Sequence, residues 1–214
     1  MIPFEIIATG SKGNAVVINK IILVDCGVSF KALEPYYRAL RLVLLTHTHS
    51  DHFNKTAIKL LARERPTLRF ACGKWLVNDV IACGVPKTNI DVLDFDIMYN
   101  YGVCTVIPVP LSHDVPNCGW KIHLPIGKVI YATDTNNLNG VTARDYDLYL
   151  IEANYTDEDI MERIREKEVG GEYAYEWRVL RTHLSKAQCD DFIYSNIGSR
   201  GRYVYMHCHR DEDN

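Results

Sequence analysis

His47-Thr48-His49-Ser50-Asp51-His52 directly follows the apolar run Leu42-Val43-Leu44-Leu45. A buried strand therefore runs out into a loop that carries three imidazoles and one carboxylate within six residues. Such a cluster has little structural use unless a cation sits among the donors. Imidazole and carboxylate ligands suit zinc first, with manganese or iron as further fits. His47 and His49 are two apart, so in an extended segment they face one side and can share a metal. Asp51 and His52 come after the chain bends and can reach a second one. Two ions about 3.5–4 Å apart form the clamp that hydrolyses phosphate and related esters.

A site of two metals needs more ligands than one loop supplies, and other strand ends must deliver them. The apolar segment Val106 to Leu111 runs into Ser112-His113-Asp114, Val129 to Thr133 runs into Asp134, and Tyr203 to Met206 runs into His207. His47, His49 and His113 are assigned to the first metal and Asp51, His52 and His207 to the second, with Asp134 bridging. His209 is a rival for the last position, because residues two apart on an extended chain face the same side.

Around these segments the periodicity predicts strands over Phe4 to Thr9 and Ala15 to Val24, joined by the turn Gly10-Ser11-Lys12-Gly13-Asn14. The second strand ends in Asp25-Cys26-Gly27. Ser29 to Leu40 suits a helix, and Leu42 to Thr46 is the next strand. Lys55 to Arg65 is helical, with Ile58, Leu61 and Ala62 on one face, and Pro66 stops it. Leu68 to Cys72 is a strand, and Lys74 to Cys83 a helix closed by Gly84. Short strands follow over Ile90 to Phe95, Gly102 to Val109, Gly119 to His123, Lys128 to Thr133 and Tyr146 to Ala153. Asp157 to Lys167 and Ser185 to Ile197 are helices, and Arg202 to Met206 is the last strand. Strands and helices in this mixture predict an α/β protein, a four-layer α/β/β/α sandwich.

With 214 residues the chain suits one domain over 1–214. No apolar stretch approaches the roughly 20 residues that span a bilayer, and the N-terminus shows no secretory signal. The seven cysteines include no CxxC pair, which fits reduced thiols and a cytoplasmic location. A net charge of −3 argues against broad electrostatic binding of nucleic acid but permits a local basic rim.

The HTHSDH segment, with strand-end His, Asp and His after it, resembles the metallo-β-lactamase fold hydrolases over nearly the whole chain. That resemblance implies two divalent ions, probed first as Zn2+ or Mn2+, and makes Asp25 an acid that supports the metal site from behind. Arg181-Thr182-His183-Leu184-Ser185, a helix, and then Val204-Tyr205-Met206-His207 are similar to the nucleic-acid phosphodiesterases of that superfamily, such as ribonuclease Z. By that match His183 protonates the leaving oxygen, beside Asp51 and Asp134 in the catalytic centre. A YycJ-like subfamily matches more fully, through Gly10-Ser11-Lys12-Gly13-Asn14, Asp25-Cys26-Gly27, Ser112-His113-Asp114, Thr133-Asp134-Thr135 and Glu152-Ala153-Asn154. It implies a nuclease-like phosphodiesterase, with 5′-to-3′ exonuclease activity on DNA. Between His113 and Asp134 there is no room for ribonuclease Z's long arm or for the cap domain of ribonuclease J. The substrate would then be small, or held by an open groove or a second subunit of a homodimer.

The reaction this implies is hydrolysis of nucleic acid by a hydroxide bridging the two metals, with Ser11, Lys12 and Ser185 as phosphate contacts and Arg181 and Lys186 nearby. The Ser11 to Asn14 amides form a candidate anion nest. Tyr173, Tyr175 and Trp177, at period two, are candidates for a groove or dimer contact. Cleavage of a small cyclic nucleotide, which in a phage would remove a host immune signal, uses the same centre. So would a thioester or lactone hydrolase. A non-catalytic metal-binding module is the remaining alternative.

Overall fold

A computed structural model describes residues 1–208 of the chain. Two six-stranded sheets pack face to face with helices outside, the α/β/β/α sandwich expected. The first sheet runs in chain order: β1 (Phe4–Ala8), β2 (Ala15–Ile18), β3 (Ile22–Val24), β4 (Leu42–Leu44), β5 (Arg69–Cys72) and β6 (Ile90–Val92). The second holds β7 (Tyr99–Asn100), β8 (Thr105–Leu111), β9 (Asn117–Leu124), β10 (Gly127–Ala132), β11 (Leu148–Glu152) and β12 (Arg202–Met206). Its first four strands pair antiparallel, whereas β10, β11 and β12 are parallel. In the first sheet the parallel pairs are β3 through β6.

Helices α1 (Phe30–Leu33), α2 (Lys55–Glu64) and α3 (Val77–Ala82) precede the second sheet. Helices α4 (Asp157–Gly170), α5 (Glu176–Thr182) and α6 (Lys186–Asn196) separate β11 from β12. Alternation along β2 shows how the layers form. Val16 and Ile18 join Trp120, Tyr131 and Leu150 in the core between the sheets, while Ala15 and Val17 join Leu33, Leu61 and Val80 under the helices. A strand covered on both faces reads as an unbroken apolar run rather than an alternating one. Among the described residues no helix is long and apolar enough to cross a membrane.

Two expectations need correction. Ala15 to Val24 is two strands, because Asn19 (φ 49°) and Lys20 (φ 64°) turn the chain back on itself. Two consecutive left-handed residues make the tight hairpin turn that matches strand twist, and this one lacks the usual glycine signal. The helix expected over Ser29 to Leu40 ends at Leu33, since Pro35 has no N–H to continue the ladder. Tyr175 immediately precedes α5 and Trp177 lies within it.

Every segment expected to carry ligands leaves the carboxyl end of a strand. Asp25 follows β3, His47 follows β4, His113 follows β8, Asp134 follows β10 and His207 follows β12. Strand β8 runs in the same direction as β10, since both are antiparallel to β9. All these exits converge on one end of the sandwich, the usual place for a ligand site in α/β sheets.

Candidate metal centre

Three of the exit residues adopt left-handed backbone: Asp25 (φ 58°), Asp134 (φ 56°) and His207 (φ 51°). Such a conformation costs about 1–3 kcal/mol at a non-glycine residue and persists only where the surroundings impose it. Here it turns each side chain inward, where Asp25, Asp134 and His207 are all buried.

Asp25 sets the proton positions of two histidines. Its Oδ2 lies 2.7 Å from His52 Nδ1, which therefore carries the proton. The Thr46 hydroxyl donates to Asp25 at 2.9 Å and accepts from His47 Nδ1 at 3.0 Å. The Thr46 backbone N–H donates to the same carboxylate at 2.9 Å, and the Tyr131 hydroxyl at 3.2 Å. His113 is oriented likewise, its Nδ1 donating to the Thr182 carbonyl at 3.0 Å. On His47, His52 and His113 the hydrogen bond thus engages Nδ1 and leaves Nε2 turned toward the shared space. A hydrogen bond at one ring nitrogen that fixes the ligating one is the usual support of a metal-bound histidine.

The donors fall into groups. Ligand atoms of His47, His49 and His113 lie within 4.8 Å of one another, as do those of Asp51, His52 and His207. Asp134 belongs with both: its Oδ2 is 2.6 Å from His52 Nε2, and its Oδ1 is 3.8 Å from His113 Nε2 and 3.7 Å from His207 Nε2. His47 Nε2 and His207 Nε2 are buried without a hydrogen-bond partner. An unsatisfied buried polar atom costs about 1–3 kcal/mol. Cations among these nitrogens and carboxylates would satisfy them, and the donor set fits a pair of divalent ions.

The electrostatics divide the histidines. Burial, reinforced by the charge on His52, pushes His47 down to about 2, so it is a neutral donor. Burial lowers His113 as well. Burial also acts downward on His52, but the charges of Asp134 and Asp25 outweigh it and lift that ring to about 10, so its Nε2 carries a proton toward Asp134 that an incoming ion would displace. Asp134 resists the upward push of burial and stays well below the usual carboxylate range, held there by His52 and His207.

Two polar residues without an assigned role in the sequence reading complete the centre. Glu152, fully buried at the end of β11, accepts from His183 Nδ1 at 2.6 Å and from the Thr135 N–H at 2.9 Å. His183 lies at the C-terminus of α5, its ring stacked on that of His207 with centroids 5.2 Å apart. Asn14, also buried, contacts His52 Nε2 at 2.8 Å and Asp51 Oδ2 at 3.2 Å. Glu152-Ala153-Asn154 was visible as a motif, but nothing local marked Glu152 as a partner of His183.

The phosphate contacts fare unevenly. An open cleft of about 320 Å³ is lined by His49, Asp51, His113, Asp134, His183 and His207 together with Ser11, Tyr175 and Arg178. Lys12 is exposed beside Ser11. Ser185 is buried outside that lining, its hydroxyl capping α6 by accepting from the Gln188 N–H at 3.2 Å. Within the expected anion nest, the Gly13 N–H bonds the Gly10 carbonyl and the Asn14 N–H bonds the Asp51 carbonyl, so the turn braces the HTHSDH loop instead. Tyr173 is exposed and outside the cleft lining, as is Trp177. His209 lies outside the described residues.

The comparisons with known proteins agree with this architecture. No curated protein matches the sequence. YhfI from Bacillus subtilis, a metallo-beta-lactamase fold protein, superposes with a TM-score of 0.73 at 17% identity, over 99% of this chain and 88% of that one. Human tRNase Z, short form, gives 0.70 at 15% identity, over 97% and 92%. Zn(2+)-bound PqqB from Methylobacterium extorquens gives 0.65 at 15% identity, over 96% and 88%. At these identities the likeness is one of fold. The model of the Beta-lactamase superfamily domain matches residues 20–189, well over half of the sequence, and with the converging strand ends this places the chain in the beta-lactamase superfamily domain family.

Proposed function

We propose that the protein is a metal-dependent phosphodiesterase that hydrolyses nucleic acid, with two divalent ions, zinc first and manganese second. The observation that carries this reading is the pairing of two three-residue ligand groups around Asp134 with a carboxylate-held histidine, His183, on the same cleft. His47, His49 and His113 would hold one ion and Asp51, His52 and His207 the other, with Asp134 within reach of both groups. When bound, the ions supply a water-derived nucleophile near neutral pH and offset negative charge that develops on phosphorus. Thioester and lactone hydrolysis place less demand on leaving-group protonation, so the His183 arrangement favours a phosphodiester. The fold shared with a tRNase and with a zinc-bound protein supports both the substrate class and the metal, as does the resemblance to the YycJ-like subfamily.

The chain's own residues then do the following. Asp25 and Thr46 engage Nδ1 of His52 and His47, so that Nε2 of each ring is the nitrogen that faces the metal site. Glu152 keeps a proton on His183 Nδ1 and leaves Nε2 for proton transfer to the departing oxygen, a step imidazole performs near neutral pH.

The test is turnover by zinc- or manganese-loaded protein on single- and double-stranded DNA, RNA, 3′,5′-cyclic mononucleotides and a bis-aryl phosphodiester, with His49→Ala and His183→Ala as controls. Polymer cleavage lost in both variants is expected. Cleavage of cyclic mononucleotides alone would replace the nuclease reading, and no cleavage of any phosphodiester would end it.

A further inference from the structure

Arg178 is the sole lysine or arginine among the described residues lining the cleft. It projects from α5 and pairs with Asp114 Oδ2, while Asp114 Oδ1 lies 3.2 Å from His113 Nε2 and 3.4 Å from His49 Nε2. The guanidinium thus sits one carboxylate away from the first ligand group. Its side chain is 67% exposed. Exposed ion pairs contribute little to stability, so exchanging this carboxylate for a substrate anion costs little. A guanidinium fork matches phosphate as well as it matches carboxylate. Tyr175, three residues earlier and so about one turn away, lines the same cleft with a partly exposed ring.

We propose that Arg178 grips a phosphate neighbouring the scissile one and that Tyr175 stacks a base beside it, so that the substrate is a strand with consecutive phosphates. The inference rests on the phosphodiesterase reading and deepens it. A cyclic mononucleotide has a single phosphate; with that phosphate at the metal centre, nothing remains for Arg178. DNA and RNA share the recognised chemistry, and parallel deoxyribose and ribose substrates separate them.

The experiment uses the zinc-loaded full chain and dinucleotides with and without a terminal phosphate, on either end. The expected ratio of kcat/KM, phosphorylated over unphosphorylated, is about tenfold in the parent protein and collapses toward one in Arg178→Ala. Arg178→Lys retains part of it. A parent ratio near one, or a ratio that survives Arg178→Ala, overturns the proposal. Absence of turnover on every dinucleotide would count against the phosphodiesterase reading, and binding then decides about Arg178 separately. For a single-stranded oligonucleotide, the slope of log affinity against log salt should fall in magnitude by about 0.7 in Arg178→Ala and hold in Arg178→Lys. Tyr175→Ala should weaken binding with the slope unchanged. An unaltered slope in Arg178→Ala overturns the proposal whatever the turnover.

Discussion

His183 Nδ1 and Glu152 Oε1 lie 2.6 Å apart, joining the residue after α5 to the end of β11. Glu152 is fully buried, and although burial acts to raise its pKa, hydrogen bonds from His183 and His207 hold it below the usual range. The carboxylate is therefore charged and fixes His183 in one orientation. Glu152→Gln should lower kcat by roughly 10²–10⁴, the range associated with a lost general acid. His183→Ala should cost a similar amount, and the double variant little more, because groups that act as a unit are non-additive. Additive losses in single-turnover kinetics would separate the two residues.

Asp25 is the common anchor of His52 and, through Thr46, of His47. Asp25→Asn should weaken metal binding about 10- to 100-fold, as losses of such supporting groups do; titration calorimetry measures it. A pH signature accompanies this. In the metal-free protein His52 is raised to about 10, so its contribution to stability is complete below about 6.5 and is lost as pH rises through 10. The melting temperature of metal-free protein should therefore fall less between pH 7 and pH 10 in Asp25→Asn than in the parent chain.

Chelation should destabilise the folded protein. Each ion present at about a hundred times its dissociation constant contributes near 2.7 kcal/mol, which in a chain of this size corresponds to a melting shift of roughly 5–10 °C per ion. Thermal scans with and without chelator measure it. The shift should shrink in His47→Ala, which removes a buried ring nitrogen, Nε2, that has no hydrogen-bond partner of its own.

Gly27 brings two chain segments together. A Cβ there would lie 1.6 Å from the Asp51 carbonyl oxygen, in the loop that carries the ligands. Gly27→Ala should cost at least about 2 kcal/mol in denaturant unfolding, since backbone must move to admit it. At Gly170 the nearest atoms to an added Cβ belong to Glu172, at 3.9 Å, so Gly170→Ala should be neutral or slightly stabilising.

Cys26, Cys72, Cys83, Cys104, Cys118 and Cys189 are buried, and Cys208 is partly exposed. Burial raises Cys72 to about 12 and Cys104 to about 11, which keeps both as unreactive thiols. An aromatic disulfide reagent at pH 8 should modify at most one thiol in the native protein, and all seven after denaturation. Rapid native labelling of several would contradict this burial.

The exits of the apolar runs, and the histidines and carboxylates waiting there, were legible in the sequence because strand periodicity and local spacing are short-range properties. His47, His49, Asp51 and His52 lie within one loop, and His113, Asp134 and His207 each stand just past an apolar run. The sandwich followed from the same pattern. Partnerships across the fold were not legible. Asp25 meets Tyr131 from 106 positions away, Arg178 meets Asp114 from 64 and His183 meets Glu152 from 31. No propensity encodes such pairs, since they exist only once two sheets pack and their strand ends converge. The turn at Asn19-Lys20 was hidden for a related reason. Pairing of β2 with β3 imposes a left-handed backbone that Asn19 tolerates but Lys20 disfavours, and apolar residues on both sides disguise the break. Residue types and strand ends thus specified which candidate ligands the chain carries, and tertiary packing decided which groups orient them and which face the cleft.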